Sequence, residues 1–324
     1  MQRLLTIAKF VLLGCLTLAL LGFWIGYQSD IPAETLKAKY APAPSQFMAV
    51  EGLEVHYRDE GTPRADSLPL VLIHGTGASL HTWDGWVAEL RDDFRLIRLD
   101  MPAYGLTGPN ATNDYNLEYY ARFLHKFLQQ LNVQKCYLAG NSLGGAIAWR
   151  FALLYPETTQ KLILIDAGGY TMSGKTKSTS VPLAFRIARM PALKNVVKYV
   201  TPRFIAENSL KNVYFDDSKV TPELIDRYWQ MTLREGNRAA FLARMNPRPE
   251  RQDDSWQQIK TIQAPTLIQW GQHDGLITLD VAKRFQADLP HDTLIVYPNA
   301  GHVPMEEIPQ QTAHDAKRFL REKP

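Results

Sequence analysis

Apolar residues follow two distinct patterns between positions 46 and 322. Residues 68–73 (LPLVLI) and 161–166 (KLILID) are nearly continuous apolar runs. Such runs are typical of strands buried on both faces of a parallel sheet. Residues 117–131 place apolar side chains at helical spacing, which predicts an amphipathic helix. Because such strands and helices alternate, the sequence predicts an α/β domain.

The predicted sheet is mostly parallel, has eight strands and is flanked by helices. The predicted strands cover residues 47–50, 53–58, 68–73, 94–99, 135–139, 161–166, 266–270 and 293–297. The main predicted helices cover residues 117–131, 146–155, 279–289 and 308–321.

Residues 169–255 interrupt the alternation, because they contain helical and aromatic segments but no clear buried strand. We interpret them as a helical cap inserted between strands 6 and 7, so that residues 46–168 and 256–324 form one core. A separate domain is the alternative, but the strands resume afterwards in the same style. Some of the cap's large apolar side chains are expected to line an apolar pocket. These side chains are Phe185, Ile187, Met190, Val196, Val197, Tyr199, Phe204, Tyr214, Phe215, Tyr228, Trp229 and Phe241.

The first 27 residues have the composition of a membrane segment. Residues 10–27 carry no charge, and Arg3 and Lys9 precede them. Together with the preceding apolar residues, the run approaches the ~20 residues that span a bilayer. By the positive-inside rule, we expect a single-pass signal-anchor with the remaining chain extracytoplasmic, which means periplasmic in a Gram-negative cell. A cleaved signal peptide with secretion, or a lipoprotein signal at Cys15, are the alternatives.

Residues 28–45 are expected to form a linker. Pro32, Pro42 and Pro44 favour an extended backbone in this segment. A chain that begins near Ala43 is therefore expected to be soluble and to keep its activity.

Composition excludes several classes of protein. With 45% hydrophobic and 21% charged residues among 324, the chain is globular rather than disordered. Two cysteines, Cys15 and Cys136, exclude a disulfide scaffold. The net charge is only +3 and no Lys/Arg tract is present, so we expect no nucleic-acid partner. The oligomeric state does not follow from the sequence.

The strongest chemical signal is Gly140-Asn141-Ser142-Leu143-Gly144, which matches G-x-S-x-G. A predicted strand leads into it and a predicted helix follows, as a nucleophile elbow requires. The glycines allow close packing at the turn, and the helix N-terminus favours developing negative charge near the serine. Ser142 is therefore the candidate nucleophile.

A serine nucleophile needs a base, and His302 is the candidate among eight histidines. It follows the last predicted strand, at the sheet edge where Ser142 also lies. Asp274 follows the seventh strand and is the candidate acid, because the order Ser142, Asp274, His302 is the order of α/β-hydrolases. Asp166 and Asp100, which end two other strands, are the alternatives. His273 is expected at the surface.

An oxyanion hole needs two backbone N–H donors. Leu143, directly after the nucleophile, is expected to supply one. Thr76, in the loop after the third strand, is the candidate for the other, with Gly77 as the alternative. His74 is expected to hold this loop rather than to act as a base.

Five motifs in order resemble the α/β-hydrolase superfamily across about residues 46–322. They are the His74-Gly75 loop, the turn at residues 100–105, the GNSLGG elbow, the WGQHD loop and the NAGHVP loop. The N-terminal segment and the stretch that follows it also resemble membrane-associated bacterial lipases and esterases. Gly275 and Thr278 depart from the family pattern, which often has Arg and Pro at these positions.

The resemblance implies an α/β-hydrolase fold and a cofactor-free, metal-free serine esterase or lipase that acts on small-molecule or lipid esters. Epoxide hydrolases and haloalkane dehalogenases carry Asp at the position of Ser142, which disfavours them. A carbon–carbon bond hydrolase or a perhydrolase could use the same triad. The former tends to carry Gly-Pro-Gly in the oxyanion loop, which is absent here. A non-catalytic binding protein would not need the triad at all.

Overall fold

The structure is a computed structural model that describes residues 2–62, 67–170, 185–186, 190, 198–245 and 254–322. One sheet contains eight strands in the order β1-β2-β4-β3-β5-β6-β7-β8. The strands are β1 (Gln46–Val50), β2 (Leu53–Glu60), β3 (Leu70–Ile73), β4 (Leu96–Leu99), β5 (Cys136–Asn141), β6 (Thr159–Ile165), β7 (Thr266–Gly271) and β8 (Asp292–Tyr297). β2 pairs antiparallel with β1 and β4, and the other neighbours are parallel. The predicted mostly parallel eight-stranded sheet is confirmed.

The helices of the described residues connect and cover these strands. They are α1 (Gln2–Gly26), α2 (Ala33–Tyr40), α3 (Asp84–Leu90), α4 (Leu117–Gln130), α5 (Leu143–Leu154), α6 (Arg203–Lys211), α7 (Pro222–Leu233), α8 (Asn237–Met245), α9 (Leu279–Asp288), α10 (Pro304–Glu307) and α11 (Pro309–Arg321). Short 3₁₀ helices cover Leu80–Trp83, Asp217–Lys219 and Ser255–Thr261.

Both faces of the sheet are covered by apolar helix faces. On one face, Phe127 of α4, Ile147 of α5 and Phe285 of α9 pack in one cluster. On the other face, Trp86 of α3 and Leu320 of α11 belong to a second cluster. Because of this double cover, every residue of β3 and β4 is buried. This burial explains why β3 is a continuous apolar run in the sequence. In β4, the buried Arg98 is paired with Glu60 and Asp84.

The parallel strands bring three chemically important loops to one edge of the sheet. In the register, Asn141 pairs with Ile165, and Ile165 pairs with Gln269. The carboxyl ends of β5, β6 and β7 therefore lie side by side. The residues that follow these ends include Ser142, Asp166 and Asp274.

Helices α6, α7 and α8 lie between β6 and β7, at the position where the sequence predicts the helical cap. The cap contacts the core through hydrogen bonds. The Tyr214 and Tyr228 hydroxyls each donate to Glu306 Oε2 at 2.8 Å. These bonds connect the cap to the helix that follows the predicted catalytic histidine.

Residues 28–45 differ from the extended linker that the prolines predict, because α2 forms within them and docks. Leu36 of α2 is only 2% exposed and packs with Leu106 and Met231. Before α2, Asp30 Oδ1 accepts a bond from Arg238 Nη2 of α8 at 2.6 Å. A local sequence pattern does not reveal these contacts, because their partners lie some 70 to 210 positions away in the chain.

Helix α1 leaves large apolar side chains in contact with solvent. Phe10 is 69% exposed, Leu12 72%, Trp24 82% and Ile25 75%. Within the part of the chain that the structure describes, no helix combines the length and the apolar character needed to cross a membrane. The predicted single-pass span is therefore not supported.

Candidate active site

Ser142 lies at the turn between β5 and α5 in a strained backbone conformation. Its φ is 54° and its ψ is −114°, which is rare for a residue with a side chain. A Cβ at Gly140 would clash with the Gly144 carbonyl, and a Cβ at Gly144 would clash with the Ile73 carbonyl. The glycines of the motif are thus required by packing, and the predicted elbow geometry is present.

His302 and Asp274 are joined by a hydrogen bond. The distance between His302 Nδ1 and Asp274 Oδ2 is 2.7 Å, and both residues are buried. The other carboxylate oxygen, Asp274 Oδ1, accepts bonds from the N–H groups of Leu276 (2.7 Å) and Ile277 (2.9 Å). The loop after β7 therefore orients the carboxylate, and the carboxylate orients the imidazole.

The histidine loop is fastened to the elbow and to the cap. The Asn141 side-chain amide donates to the His302 carbonyl oxygen at 2.9 Å. The His302 N–H donates to the Val213 carbonyl, which follows α6 of the cap, at 2.7 Å. Asn141 directly precedes Ser142, so one side chain couples the positions of Ser142 and His302.

Ser142, His302, Thr76, Gly77 and Leu143 line one cavity of about 800 Å³. Leu143 is the first residue of α5, so its N–H has no acceptor within the helix. The structure thus brings the predicted nucleophile, base and both predicted oxyanion donors to a single site.

Several of the cap side chains that were expected to line a pocket do so. Phe185, Tyr228, Trp229 and Phe241 line the cavity. Tyr214 is buried, whereas Met190, Tyr199, Phe204 and Phe215 are exposed. Ile187, Val196 and Val197 lie outside the described residues.

His74 holds the loop that carries Thr76. Its Nε2 accepts a bond from the Met101 N–H at 3.0 Å, and its Nδ1 donates to the Gly75 carbonyl at 2.8 Å. Complete burial lowers the pKa of His74, which keeps the ring neutral. His273 is exposed and stacks on Phe215 at 4.0 Å between ring centroids, as a surface residue does.

Asp100, one of the alternative acids, has a different histidine. Its Oδ2 lies 2.7 Å from His56 Nδ1, and His56 Nε2 lies 2.9 Å from the Ser45 hydroxyl. Burial favours the neutral acid, but the charge and hydrogen bond of His56 outweigh burial and lower the pKa of Asp100. Ser45, His56 and Asp100 thus form a second hydrogen-bonded set of Ser, His and Asp. None of these three residues lines the cavity that contains Ser142, so we assign them a structural role.

Asp166, the other alternative acid, lies beside Asp274. It is fully buried, and its Oδ1 accepts a bond from the Gly271 N–H at 3.0 Å. Burial, followed by the neighbouring Asp274 carboxylate, raises the pKa of Asp166 well above its ordinary range. The two acids are neighbours because they follow adjacent parallel strands.

Glu307 is a structural residue of the site that the sequence did not reveal. Its carboxylate accepts bonds from the N–H groups of Gly301 (2.7 Å), Phe215 (2.8 Å) and Asp216 (3.3 Å). Glu307 thus links the histidine loop, which contains Gly301, to residues 215–216 of the cap. Burial raises the pKa of Glu307. A glutamate in a helix after the histidine is a weak signal, because such positions are usually at the surface.

Among the described residues, one group of three side chains is close enough to share a cation. One potential metal-ligand atom each of Asp166, Asp274 and His302 lies within 4.8 Å of the other two. Their bonds to one another and to backbone N–H groups account for this clustering. The predicted absence of a metal and of a cofactor stays a prediction.

The chain belongs to the alpha/beta hydrolase fold family, whose sequence profile matches residues 69–309. It is similar to a 2-hydroxy-6-oxononadienedioate/2-hydroxy-6-oxononatrienedioate hydrolase of Paraburkholderia phymatum, with 30% identity over 77% of this chain and 85% of the relative. It is also similar to the uncharacterized hydrolase YugF of Bacillus subtilis, with 28% identity over 87% of this chain and 99% of the relative. Among solved structures, a membrane phospholipase A, described as a bacterial virulence factor, has a TM-score of 0.73 and 25% identity. That match covers 99% of this chain and 98% of the other. The protein is therefore a hydrolase.

Proposed function

We propose that the protein is a serine hydrolase that cleaves carboxylic esters through an acyl-enzyme intermediate. The observation that carries the proposal is the shared cavity of Ser142 and His302, with His302 bonded to Asp274 at 2.7 Å. Binding alone requires none of these three groups in this arrangement. A positioned nucleophile, base and acid are what acyl transfer requires.

The reaction follows from which atoms are engaged. Asp274 occupies His302 Nδ1, so Nε2 is the nitrogen that takes the proton from Ser142. The serine oxygen then attacks the ester carbonyl, and His302 gives its proton to the departing alcohol. In the second half, His302 takes a proton from water, which attacks the acyl-enzyme. His302 then returns this proton to the Ser142 oxygen as the acid is released.

The N–H groups of Thr76 and Leu143 stabilise the negative oxygen of the tetrahedral intermediate. Both residues line the cavity beside Ser142. A donor of this kind contributes about 2.7–4 kcal/mol to transition-state stabilisation. The strained elbow holds the serine where it can reach the substrate and these donors at the same time.

The cavity suits a hydrophobic acyl or alcohol group. Its volume of about 800 Å³ is large for a ligand site, since such sites measure roughly 300–1,000 Å³. Phe241, Trp229, Leu210 and Val281 contribute apolar walls. The similarity to a membrane phospholipase A also supports an ester with a long apolar chain.

Carbon–carbon bond hydrolysis is the second candidate. It is supported by the Paraburkholderia phymatum relative, whose name gives a dicarboxylate substrate. Arg238 and Arg244 both line the cavity and could face a carboxylate. Arg238 is already paired with Asp30, which weakens this support. Perhydrolysis would use the same residues with peroxide in place of water.

A comparison of two substrate classes tests the ester proposal. The wild type is assayed on p-nitrophenyl esters from acetate to palmitate and on a vinylogous 1,5-diketone acid, with Ser142→Ala as the matched control. Ester turnover with a preference for medium or long chains, lost in the variant, supports the proposal. A kcat/KM for the diketone that exceeds every ester value would replace it with carbon–carbon hydrolysis.

We further propose that α1 associates with a lipid surface and brings the cavity near a lipid or other hydrophobic ester. The exposed apolar side chains of Phe10, Leu12, Trp24 and Ile25 support this, since contiguous exposed apolar surface marks interaction sites. Arg3 and Lys9 precede the apolar run, as in the N-terminal segment of an exported protein. We therefore propose that the hydrolase domain is extracytoplasmic.

Flotation with phosphatidylethanolamine and phosphatidylglycerol vesicles tests the lipid contact. The full chain should float, and so should Leu12→Ile. A chain that begins at Tyr27 and the variant Leu12→Glu should both stay at the bottom. Protease treatment of intact spheroplasts tests the orientation: digestion of the hydrolase domain supports it, whereas protection would overturn it.

A further inference from the structure

We propose that Asp166 is a neutral carboxylic acid that donates a hydrogen bond to the Asp274 carboxylate and so holds the acid of the triad in position. This inference rests on the proposed function, because Asp274 is the triad acid only if Ser142 and His302 act as nucleophile and base. Asp166 touches neither substrate nor Ser142 in this role. It is a positioning residue.

The backbone of Asp166 is built into the site. Asp166 directly follows β6 and has a φ of 43°, in the left-handed region. Its N–H donates to the Gln269 carbonyl of β7 at 3.0 Å. Asp and Asn tolerate this backbone conformation better than most residues do. The conformation turns the side chain into the space between the ends of β6 and β7.

Among the residues that the structure describes, one oxygen of Asp166 has no hydrogen-bond donor, whereas the other has one. Oδ1 accepts the Gly271 N–H at 3.0 Å. Oδ2 is buried and has no donor among the described residues. A buried carboxylate oxygen without a donor is costly. An oxygen of Asp166 lies within 4.8 Å of an oxygen of Asp274. If Oδ2 carries a proton, it becomes a donor, and the neighbouring Asp274 carboxylate is its acceptor.

The two acids differ in the number of hydrogen bonds that each accepts, and this difference indicates which of them holds the proton. Asp274 receives three donors from elsewhere: the N–H groups of Leu276 and Ile277 and the His302 imidazole. Asp166 receives one, from Gly271. Two adjacent buried carboxylates cannot both be charged at modest cost. The acid with more donors keeps the charge, so the proton belongs to Asp166.

The charged and titratable groups around Asp166 also favour its protonated form. The charged or titratable groups that face Asp166 are Asp274 from the loop after β7, Glu307 from α10 and Tyr297 from β8. His302 lies within the same cluster of donor atoms but bonds to Asp274. Burial and the two carboxylates raise the pKa of Asp166, which favours the protonated form.

In this arrangement, the Asp166 hydroxyl is the fourth group that donates a hydrogen bond to the Asp274 carboxylate. The Asp166 hydroxyl fixes the plane of the Asp274 carboxylate, and this plane sets the direction of the His302 imidazole. At high pH, loss of the Asp166 proton removes the donor and adds a negative charge beside Asp274. We therefore expect kcat to change at alkaline pH through Asp166, with little change in KM.

Two substitutions distinguish the loss of the ionisable carboxyl group of Asp166 from the loss of its whole side chain. Asp166→Asn keeps an N–H donor for Asp274 and an oxygen for the Gly271 N–H. Asp166→Gly removes both and tolerates the positive φ. Asp166→Asn should keep kcat within about threefold of wild type, without the alkaline change, and Asp166→Gly should lower kcat about tenfold or more at nearly constant KM.

The pH dependence of stability gives a readout that does not depend on activity. A folded-state pKa above the unfolded value means that the native state binds more protons, so this contribution falls as pH rises above the ordinary aspartate range. Asp166→Asn removes it. The melting temperature of Asp166→Asn relative to wild type should therefore rise with pH.

Asp100→Asn is the matched control, because Asp100 is equally buried but has a lowered pKa. Its contribution to stability is present above the ordinary aspartate range and is lost as pH falls. The difference in melting temperature between wild type and Asp100→Asn should therefore become smaller as pH falls. Infrared difference spectra at neutral pH should show a protonated carboxyl band that Asp166→Asn loses and that Asp100→Asn keeps.

Three results would overturn the inference. Equal loss of kcat in Asp166→Asn and Asp166→Gly would mean that Asp166 acts as an anion, and full activity of Asp166→Gly would mean that it positions nothing. An unchanged carboxyl band in Asp166→Asn would mean that Asp166 is ionised. If the wild type hydrolyses no ester at all, the proposed function fails, while the spectra and the melting curves still decide the protonation of Asp166.

Discussion

The side-chain amide of Asn141 donates a hydrogen bond to the backbone carbonyl of His302 at 2.9 Å. Its second N–H donates to the Ile165 carbonyl at the end of β6, at 3.2 Å. The residue before the proposed nucleophile thus sets the distance between the elbow and the histidine loop. The x position of G-x-S-x-G is often treated as free, but here it carries a defined contact.

We expect Asn141→Ala to lower kcat about tenfold, because the histidine loop loses its link to the elbow while the triad side chains remain. Ester hydrolysis measures the effect, and circular dichroism checks the fold. Gln263→Ala is the control, since Gln263 also donates to a carbonyl but is exposed. Equal activities for both variants would contradict a positioning role for Asn141.

The triad residues are expected to act as a unit. Asp274→Asn and His302→Ala should each lower kcat by a factor on the order of 10³ or more, because each leaves the serine without an oriented base. The double variant should be scarcely worse than either single variant. If Asp274→Asn were nearly silent and Asp166→Asn severely impaired, the triad acid would be Asp166.

Glu307→Ala is expected to destabilise the fold by about 2–4 kcal/mol, because it leaves the buried N–H group of Gly301 and the partly buried N–H groups of Phe215 and Asp216 without their acceptor. Urea unfolding measures this free energy. Glu322→Ala is a suitable control, since Glu322 is exposed at the end of α11. A difference below about 0.5 kcal/mol between the two variants would show that Glu307 does not support the loop.

Two truncations test the docked segment that replaces the expected linker. A chain that begins at Tyr27 keeps the Asp30–Arg238 pair and α2, and it should match the full chain in melting temperature. A chain that begins at Ala43 loses both, exposes the partners of Leu36, and leaves Arg238 buried without its acid. We expect it to be less stable and less active on short esters. Identical melting curves for both chains would restore the interpretation as a passive linker.

Much of the fold follows from local patterns. The apolar runs of β3 and β6 predict buried parallel strands because both faces of each strand meet helices. Because strands and helices alternate along the chain, the parallel strands all end at the same edge of the sheet. The loops that carry Ser142, Asp274 and His302 therefore lie together at this edge. The site was predictable because its residues follow successive strands of a regular sheet.

Other features depend on contacts between distant parts of the chain. Proline spacing gave no indication that α2 would pack against Leu106 and Met231. The protonation of Asp166 depends on burial and on how many donors its neighbour receives. Neither quantity appears in a sequence motif, so the sequence ranked Asp166 only as an alternative acid.

Ser142 is the proposed nucleophile of an ester hydrolase, and the rest of the proposed mechanism depends on it. The most direct measurement is fluorophosphonate labelling with mass spectrometry of the labelled peptide, alongside p-nitrophenyl ester hydrolysis by wild type and Ser142→Ala. We expect a single label on Ser142, a loss of hydrolysis in proportion to labelling, and a Ser142→Ala variant that is folded but inactive. A label on another serine, or a Ser142→Ala activity above about a tenth of wild type, would contradict it.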